Sequence, residues 1–503
     1  MNRVHIEFQR VQTWLFAVPR LRAMVGANAL LGEVLRVALP DLARREQGWK
    51  LATNAESYPF ACLDDPLREH DDPAADAKDG ILARDGGHFE ARFECGADAF
   101  GDAAAALIRE TLPGLRFRIS IDGVERTKRQ AEVSTELPVL APCEWTGRGL
   151  ASTTIVQGGD ERPAVSLDVQ RRHGAARRVE DGTSKDIASL LGGKTTCRRP
   201  YPADLDTLAG RGYLALIHAD GNGVGRHAGD DEGRRAAFFH RNRVLLRKAT
   251  LTALERAWAN DARHASLIPL MLGGDDLLVV CRADKALPFV VDLCAELASA
   301  QRNDRSGFEL TLGVGVVIAK ANIPIHRLHE VVEHLASSAK RRFRGLERAG
   351  KRPRSVVDWA VYNSTWVEEP DEVRRRDWLR GPKGDRRVLS QRPIDVLGSE
   401  LDSLQCLLEA AKCLENAPRS QLRYLVEQLP RGRALTELAF AELSKEAREA
   451  LERAGIRGDD IWTRTADGGF SVTRLLDLIE IVEIPRLGTN QSGEQRAEET
   501  AHG

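Results

Sequence analysis

The chain has 503 residues and a balanced charge, with 73 Lys and Arg against 74 Asp and Glu and a formal net charge of -1. A single hydrophobic core does not grow to this length, so we expect about three or four domains. The charge balance excludes a global basic field for nucleic acid and a polyacidic tail, so any phosphate-binding surface must be local.

The cysteines and the start of the chain indicate the compartment. The eight cysteines are scattered, and no two stand two residues apart as zinc knuckles and redox pairs require. This usage is typical of reduced thiols in a cytosolic protein. The opening MNRVHIEFQRVQTWLF lacks the long apolar core of a signal peptide, and no window of about 18 residues is apolar and uncharged throughout. We predict a cytoplasmic protein with no membrane partner.

Residues 1–122 have the pattern of a first ferredoxin-like domain. An alternating strand at 4–10 precedes apolar residues at helical spacing, with a bend expected near Pro19 or Gly26. The later segments are WKLATNAES (49–57), the alternating HFEARFE (88–94), the Ala-rich helix at 97–112 and the strand LRFRISID (115–122). This βαββαβ order is the split-βαβ pattern of a ferredoxin-like sheet.

The rest of the chain divides by its periodicity. Residues 123–212 are weakly periodic and predict a linker or insert module, whose basic run QRRHGAARR is interpreted as a flexible loop, with RNA contact as the alternative. The βαββαβ order recurs at 213–362, and amphipathic segments predict a mainly helical domain at 363–486. Residues 487–503 are expected to be disordered. The fold class is therefore α/β (α+β), with two tandem ferredoxin-like domains, a linker module between them and a helical C-terminal domain.

The two copies can be compared at their inner hairpins. The first reads LARDGGHFEARF and the second LMLGGDDLLVV, so a Gly-Gly pair recurs while only the second copy has two aspartates after it. Taken alone, Gly-Gly-Asp-Asp is also an ordinary hairpin turn, because Gly and Asp are turn formers. The duplication predicts one catalytic domain beside one degenerate, non-catalytic copy.

The position of three carboxylates predicts a divalent metal site. In a split-βαβ sheet the first strand lies beside the third, so Asp220 at the end of YLALIHAD should lie near Asp275 and Asp276 in the turn. Their repulsion favours a cation, and hard carboxylate oxygens suit Mg²⁺ or Mn²⁺. Such a metal supports phosphoryl or nucleotidyl transfer, with substrate phosphates completing its coordination.

Neighbouring residues suit a nucleotide triphosphate. The glycines of GNGVG, which begins directly after Asp220, allow backbone N–H groups to approach a phosphate, and the hairpin glycines leave room for a nucleotide. Lys340 on the helix after GVGVV supplies a cation. Each motif is weak alone, and their joint occurrence on one unit favours a metal–nucleotide site. The predicted nucleotide-contacting residues are Gly221, Asn222, Gly223, Gly273, Gly274 and Lys340.

At these residues the sequence resembles a known family. YLALIHADGNGVG, the GGDD hairpin and LTLGVGVVIAKANIPIHRLHEVVEHLASSAK resemble the second palm domain of the large polymerase-like subunit of type III CRISPR effector complexes. The opening FQRVQTWLFAVPRLRAMVGANALLGEVL is similar to that family's first palm. The resemblance implies two palms with catalytic acids only in the second, and the condensation of ATP into cyclic oligoadenylates, which act as antiviral second messengers.

Carried across by position, the resemblance makes Asp220, Asp275 and Asp276 the catalytic metal ligands, Lys340 a phosphate contact and Asn28 a contact from the first palm. The chain departs from the family in three respects. Because the first palm-like pattern begins at once, we expect the N-terminal HD nuclease domain of many members to be absent, and with it DNase activity. Only Cys143 and Cys197 remain in the linker where members often have four zinc ligands, so zinc is not expected. The triplet DGN lacks the acidic third residue often found after the first aspartate, which leaves the number of metals open.

The sequence thus predicts a Mg²⁺-dependent nucleotidyltransferase that converts ATP into cyclic oligoadenylate. A cyclic dinucleotide synthase is the enzymatic alternative, because GGDD is close to the hairpin of diguanylate cyclases. A non-catalytic nucleotide-binding scaffold of a ribonucleoprotein is the third reading. The expected partners are a nucleotide triphosphate together with other CRISPR effector subunits and crRNA or target RNA, or a second copy in a homodimer.

Overall fold

The computed structural model describes the chain except residues 54–63, 127–140, 148, 157–160, 211, 230, 303–306, 364–367, 382–385, 400–401, 466–468 and 488–503. By compactness the chain divides into two units. Unit 1 comprises Met1–Leu205 and Gly223–Leu278, and unit 2 comprises Asp206–Asn222 and Val279–Gly503. The expected disordered tail, apart from residue 487, lies outside the described residues.

The first sheet is built around β1 (Asn2–Gln9), whose alternate residues Val4, Ile6 and Phe8 are buried. Antiparallel neighbours flank β1 on both sides. The remaining strands are β2 (Lys50–Leu51), β3 (Ile81–Asp85), β4 (His88–Cys95), β5 (Arg116–Ile121) and β6 (Val124–Glu125). The order β5-β1-β4-β3 is that of a split βαβ sheet, as predicted.

The position predicted for the second strand of this sheet, residues 49–57, is wrong. Within the described part of 49–57 only Lys50–Leu51 is a strand, and the strand that forms the inner hairpin with β4 is Ile81–Asp85. Only Ile81 of that strand is fully buried, while Arg84 and Asp85 are polar and half-buried. The segment therefore lacks the apolar alternation by which strands are recognised.

The helices of this first domain are α1 (Val11–Leu15), α2 (Leu21–Glu33), a π-helical segment Val34–Ala38, α3 (Leu39–Arg44), α4 (Pro73–Lys78) and α5 (Ala97–Thr111). The chain breaks between α1 and α2 at the expected Pro19. Gly26 lies inside α2, where a methyl group would fall 1.8 Å from the carbonyl oxygen of Arg172. By length and composition the stretch Leu21–Arg44 could cross a membrane, but 67% of its apolar window is buried inside the protein.

The 123–212 region contains more helix than its weak periodicity suggested. It carries β7 (Thr153–Thr154), β8 (Ala164–Val165), α6 (Leu167–Glu180), α7 (Ile187–Lys194) and α8 (Leu205–Ala209). The basic run at 170–178 is helical, so its interpretation as a flexible loop is wrong. Arg172 explains the difference, because its fully buried guanidinium pairs with Asp168 at 2.9 Å and donates to the carbonyls of Trp14 and Leu15. Cys143 is buried in an apolar cluster with Val18 and other side chains.

The second sheet repeats the order of the first. Its strands are β9 (Tyr213–Gly221), β10 (Leu267–Gly273), β11 (Asp276–Arg282), β12 (Leu312–Lys320) and β13 (Val356–Tyr362). Their order, β10-β11-β9-β12-β13, contains the same split-βαβ arrangement and confirms the predicted fold class. The accompanying helices are α9 (Val224–His227), α10 (Glu232–Trp258), α11 (Ala283–Ala300) and α12 (Ile325–Arg348).

The C-terminal region is helical, as expected, but also holds a small sheet. Its helices are α13 (Pro370–Val373), a π-helical segment Arg374–Trp378, α14 (Leu404–Lys412), α15 (Arg419–Gln428), a 3-10 turn Leu429–Arg431, α16 (Arg433–Glu442), α17 (Lys445–Arg453) and α18 (Leu475–Leu487). The strands are β14 (Leu379–Arg380), β15 (Arg386–Val388), β16 (Ile394–Asp395), β17 (Thr463–Arg464) and β18 (Phe470–Val472). β16 extends the second sheet beside β13, and the other four form the order β14-β15-β18-β17. These strands have two or three residues each, too few for an alternating pattern.

Candidate functional site

Asp220 lies at the end of the central strand β9 and forms an ion pair with Lys340 of α12. Both side chains keep about a third of their surface exposed, 32% for Asp220 and 29% for Lys340. The pair joins residues 120 positions apart, so it is made by packing of α12 on the sheet rather than by local sequence. A partly exposed carboxylate held by a lysine is a charged group that an incoming ligand can reach.

Gly313 explains how Lys340 reaches Asp220. β12 pairs with β9 so that Gly313 stands opposite Asp220. A methyl group on Gly313 would fall 2.6 Å from Cγ of Lys340, so the missing side chain leaves the path that the lysine follows across β12. Gly315 likewise admits the α12 backbone, because its Cβ would fall 2.3 Å from the carbonyl oxygen of Val332. Sequence reasoning missed this role, although GVGVV within a buried strand was the available signal.

The predicted phosphate loop has more regular structure than an open glycine loop. Gly221 is the last residue of β9, and Gly223 caps the short helix α9 in a left-handed conformation with φ 70°. Asn222 is buried, and it donates from its backbone to the carbonyl of Thr311 at 2.8 Å and from Nδ2 to the Thr311 hydroxyl at 3.1 Å. Its Oδ1 is buried without a hydrogen bond in the part of the chain that the structure describes. The structure thus assigns Asn222 a role in closing the end of β9.

A histidine–carboxylate cluster includes His218, which lies two residues before Asp220 on β9. His218 Nδ1 is 2.7 Å from Glu333 Oε1, and His329 Nε2 is 3.4 Å from the same oxygen. Burial by itself would raise the pKa of Glu333, but the hydrogen bonds from His218 and His329 lower it to about 2. Glu333 is therefore ionised at neutral pH and fixes α12 against β9 close to Lys340.

The Gly-Gly-Asp-Asp turn joins β10 to β11. Gly273 ends β10, Gly274 has a positive φ of 63°, and Asp276 begins β11. Both aspartates are half-buried. The space that the glycines leave is used by protein, since a methyl group on Gly273 would fall 3.4 Å from the Cα of Gly86 in the first hairpin. Contact of Gly273 and Gly274 with a nucleotide remains a prediction.

Asn28 lies half-buried on α2 and donates from Nδ2 to Oδ1 of Asp186 at 2.9 Å. The same Asp186 oxygen caps α7 by accepting the N–H of Ser189 at 3.1 Å. Burial, the largest influence, raises the pKa of Asp186. The structure therefore shows Asn28 supporting a helix cap, and its contact with a nucleotide remains a prediction.

The sheet order bears on whether the three aspartates act together. β11, which begins at Asp276, is the hydrogen-bonded neighbour of β9, which carries Asp220. Among the residues that the structure describes, no group of three or more His, Cys, Asp or Glu side chains is arranged to hold a metal ion. The three-aspartate ligand set remains a prediction. Mg²⁺ is commonly bound through one or two carboxylates and substrate phosphates, so hard, partly exposed carboxylates fit such an ion.

Comparison with known proteins identifies the second sheet. Residues 213–345 match the family model described as Cas10/Cmr2, second palm domain. Solved structures with similar folds include a Csm1-Csm4 cassette in complex with cA4, at 12% identity and TM-score 0.45, covering 97% of this chain and 70% of that one. Csm1 of T. onnurineus is 13% identical with TM-score 0.43, covering 97% and 69%.

A Csm1-Csm4 cassette in complex with AMPPNP is 13% identical with TM-score 0.40, covering 68% of this chain and 53% of that one. The chain therefore spans about half of the length of that relative. No curated protein matches the chain. The resemblance predicted from the sequence is thus confirmed over residues 213–345, which match the second palm domain of Cas10/Cmr2.

Proposed function

We propose that this protein is a Mg²⁺- or Mn²⁺-dependent nucleotidyltransferase that condenses ATP into cyclic oligoadenylate in a type III CRISPR-like antiviral defence. The observation that supports it most is the Asp220–Lys340 pair at the end of the central strand of a domain that matches the Cas10/Cmr2 second palm. The aspartates of the Gly-Gly-Asp-Asp turn add carboxylate ligands for the divalent cation that binds a triphosphate.

In this proposal Asp220, Asp275 and Asp276 hold the metal. When bound, the metal lowers the pKa of an attacking hydroxyl and neutralises charge on the phosphates. Lys340 binds a non-bridging phosphate oxygen and keeps Asp220 paired when no nucleotide is present. Glu333 and His218 orient α12 so that the Lys340 ammonium stays at the end of β9. Transfer requires the 3′-hydroxyl of one ATP to attack the α-phosphate of another, with pyrophosphate leaving and the hydroxyl proton passing to solvent or a base.

Partners follow from the same comparison. Similar proteins have been crystallised as Csm1-Csm4 cassettes with AMPPNP and cA4. We propose that this chain likewise binds ATP and assembles with a Csm4-like subunit in the cytoplasm, and through it with crRNA and target RNA. A homodimer is the alternative assembly, and light scattering of the purified chain distinguishes the two.

The test is product analysis by mass spectrometry after incubation of the purified chain with each nucleotide triphosphate and Mg²⁺. The proposal expects cyclic products from ATP alone, because both the attacking and the receiving nucleotide are ATP. Cyclic dinucleotide formed from GTP alone would instead establish the cyclase alternative. Binding of ATP by calorimetry without any product, in the presence of a Csm4-like partner and target RNA, would establish the scaffold alternative.

A further inference from the structure

The two inner hairpins approach each other within unit 1. A methyl group on Gly273 would fall 3.4 Å from Asp85 Oδ1 and 3.4 Å from the Cα of Gly86. In the opposite direction, a methyl group on Gly86 would fall 3.7 Å from the Cα of Gly274. A methyl group on either turn would therefore be in van der Waals contact with the other, and a longer side chain directed at the facing turn would push the two apart.

Asp85 holds the turn of the first hairpin through a hydrogen bond and an ion pair. Its carboxylate is only 9% exposed. Oδ1 accepts the N–H of Gly86 at 2.9 Å, while Oδ2 accepts from Nη2 of Arg247 at 3.0 Å. One carboxylate thus sets the conformation of the turn and ties it to helix α10.

Arg247 is itself held by further carboxylates. Its guanidinium is 2% exposed and donates from Nη1 to Asp71 at 2.6 Å and to Asp65 at 3.1 Å. Burial opposes the charge, but the carboxylates of Asp71, Asp85 and Asp65 outweigh it and hold the pKa of Arg247 above its usual range. Because the carboxylate side chains that contact Arg247 are themselves buried, the guanidinium has little freedom to move.

The same helix is anchored to the catalytic hairpin. Trp258, at the C-terminal end of α10, is fully buried and donates from Nε1 to the carbonyl of Leu267 at 2.9 Å. Leu267 is the first residue of β10, and β10 leads to Gly273. Helix α10 therefore braces both hairpins, the first through Arg247 and the second through Trp258.

We infer that Asp85 and Gly86 in the first-palm turn form an abutment, a fixed support that sets the position of the Gly273–Asp276 turn, and that Asp85 is a positioning residue for the reaction. The inference rests on the proposed function only in calling the second turn catalytic. It gives the degenerate palm a defined task, which is to hold the aspartates of the other palm in place through a glycine-to-glycine contact. Displacement of catalytic groups by about 1 Å can lower the rate about a hundredfold, so loss of this contact should lower turnover.

A purely stabilising cluster would explain the ion pairs equally well, because breaking a buried pair destabilises any fold. The contact between the turns separates the two explanations. A stabilising cluster predicts that perturbation lowers the melting temperature alone, whereas the abutment predicts a local change at residues 273–276.

The decisive variants are Gly86→Asn and Gly87→Asn. Both residues have positive φ, 63° and 79°, and asparagine tolerates this region better than other side chains. A Cβ at 86 would lie 3.7 Å from the Cα of Gly274, whereas apart from the adjacent residues no atom of the described part of the chain lies within 4 Å of a Cβ at 87. The two variants therefore introduce the same residue with similar backbone strain and differ in whether they reach the second turn.

Hydrogen–deuterium exchange of peptides covering 270–280 is the main readout, since it needs no turnover. We expect Gly86→Asn to accelerate exchange there about tenfold or more and to lower kcat for ATP by a similar factor with little change in KM. Gly87→Asn should match wild type in both. Equal behaviour of the two variants, or unchanged exchange in both, overturns the inference.

Asp85→Asn, with the exposed Asp79→Asn as its control, decides the matter if Gly86→Asn does not fold. Asp79 pairs only peripherally with Arg44 at 3.2 Å. Faster exchange at 270–280 in Asp85→Asn supports the abutment, and a lower melting temperature without it overturns the inference. If the wild type forms no nucleotide product while the exchange result holds, the proposed function fails and the abutment stands.

Discussion

The two sheets have the same strand order, but the Gly-Gly pair of the inner hairpin is followed by two aromatic residues in the first sheet and by two aspartates in the second. In the first, Gly86 and Gly87 are followed by His88, which stacks on His5 with 5.3 Å between ring centroids, and by the fully buried Phe89. In the second, the glycines are followed by two half-buried aspartates. The fold therefore does not require acids at this turn, and their presence in one copy is a property of that copy's site.

The charges of the two hairpins are also compensated differently. The first hairpin has its carboxylate, Asp85, inside a buried cluster with Arg247, where it is inaccessible. The second sheet has Asp220 partly exposed and paired with Lys340. Burial among several arginines fixes a group in place, whereas partial exposure beside a flexible lysine leaves it available to a ligand.

The largest expected effect comes from placing an aspartate in the first hairpin at Phe89, the position that corresponds to Asp276 in the second. Phe89→Asp should destabilise the first palm by at least about 5 kcal/mol, because it removes a fully buried aromatic side chain and buries an unpaired charge. Phe89 lies 6.0 Å from Phe100, which also contacts Phe93 at 4.6 Å between centroids. Thermal unfolding and soluble yield measure the effect.

Phe89→Leu is the control, since it keeps the site apolar and should cost about 1 to 2 kcal/mol. A Phe89→Asp protein that melts with the wild type would show that the first hairpin tolerates an acid. The asymmetry between the copies would then need an explanation other than packing.

Removing the acids from the second hairpin is the next largest change. Asp275→Asn with Asp276→Asn keeps the size of both side chains and should lower product formation on the order of 10³-fold, about 4 kcal/mol, because the charge that holds the metal is lost. The matched control is Asp98→Asn in the first palm, whose carboxylate is 72% exposed. Turnover that survives in the double variant would contradict a catalytic role for this hairpin.

The features of the two hairpins that depend on local sequence pattern were predictable, whereas those that depend on packing between distant residues were not. Alternating strands, the repeated Gly-Gly turns and the helical spacing predict two βαββαβ units, because each is set by local periodicity. The Arg247–Asp85 pair and the path of Lys340 over Gly313 depend on residues 162 and 27 positions apart, respectively, brought together by packing. β3 was missed because its last two residues, Arg84 and Asp85, are ionic and only Ile81 is fully buried, so the segment has the composition of a loop.

His240 tests whether the cluster that supports the first hairpin depends on charge balance. Burial, followed by the charge of Arg243, lowers the pKa of His240 from 6.5 to about 4. Between these values the unfolded chain takes up a proton that the folded chain does not, so stability is lost as the pH falls through this window. The full loss is about 3 kcal/mol.

Urea unfolding at pH 7.5 and pH 4.5 measures it, with His240→Gln as the comparison. Glutamine can still accept the 3.4 Å hydrogen bond from Arg243 but does not titrate. The wild type should lose about 2 to 3 kcal/mol more than the variant on acidification. Equal losses would mean that His240 is protonated in the folded protein.

The smallest expected effect concerns Lys340, the cation that pairs with Asp220 in the second site. Lys340→Ala should lower kcat/KM for ATP about tenfold to a hundredfold, which corresponds to the roughly 1.5 to 3 kcal/mol of a charge-assisted hydrogen bond. Arg342→Ala removes a charge from an exposed position on the same helix and should have little effect. Equal losses in both variants would assign the effect to the general charge of α12 instead of to Lys340.

Gly313→Ala then separates the presence of the ammonium group from its position. The added methyl group would fall 2.6 Å from Cγ of Lys340, so the lysine must leave its path over β12 while its charge is kept. If position matters, Gly313→Ala reproduces a large part of the Lys340→Ala loss, and combining the two substitutions adds little further loss because they act on one contact. Additive losses would show that Gly313 serves the packing of α12 and that Lys340 acts independently of it.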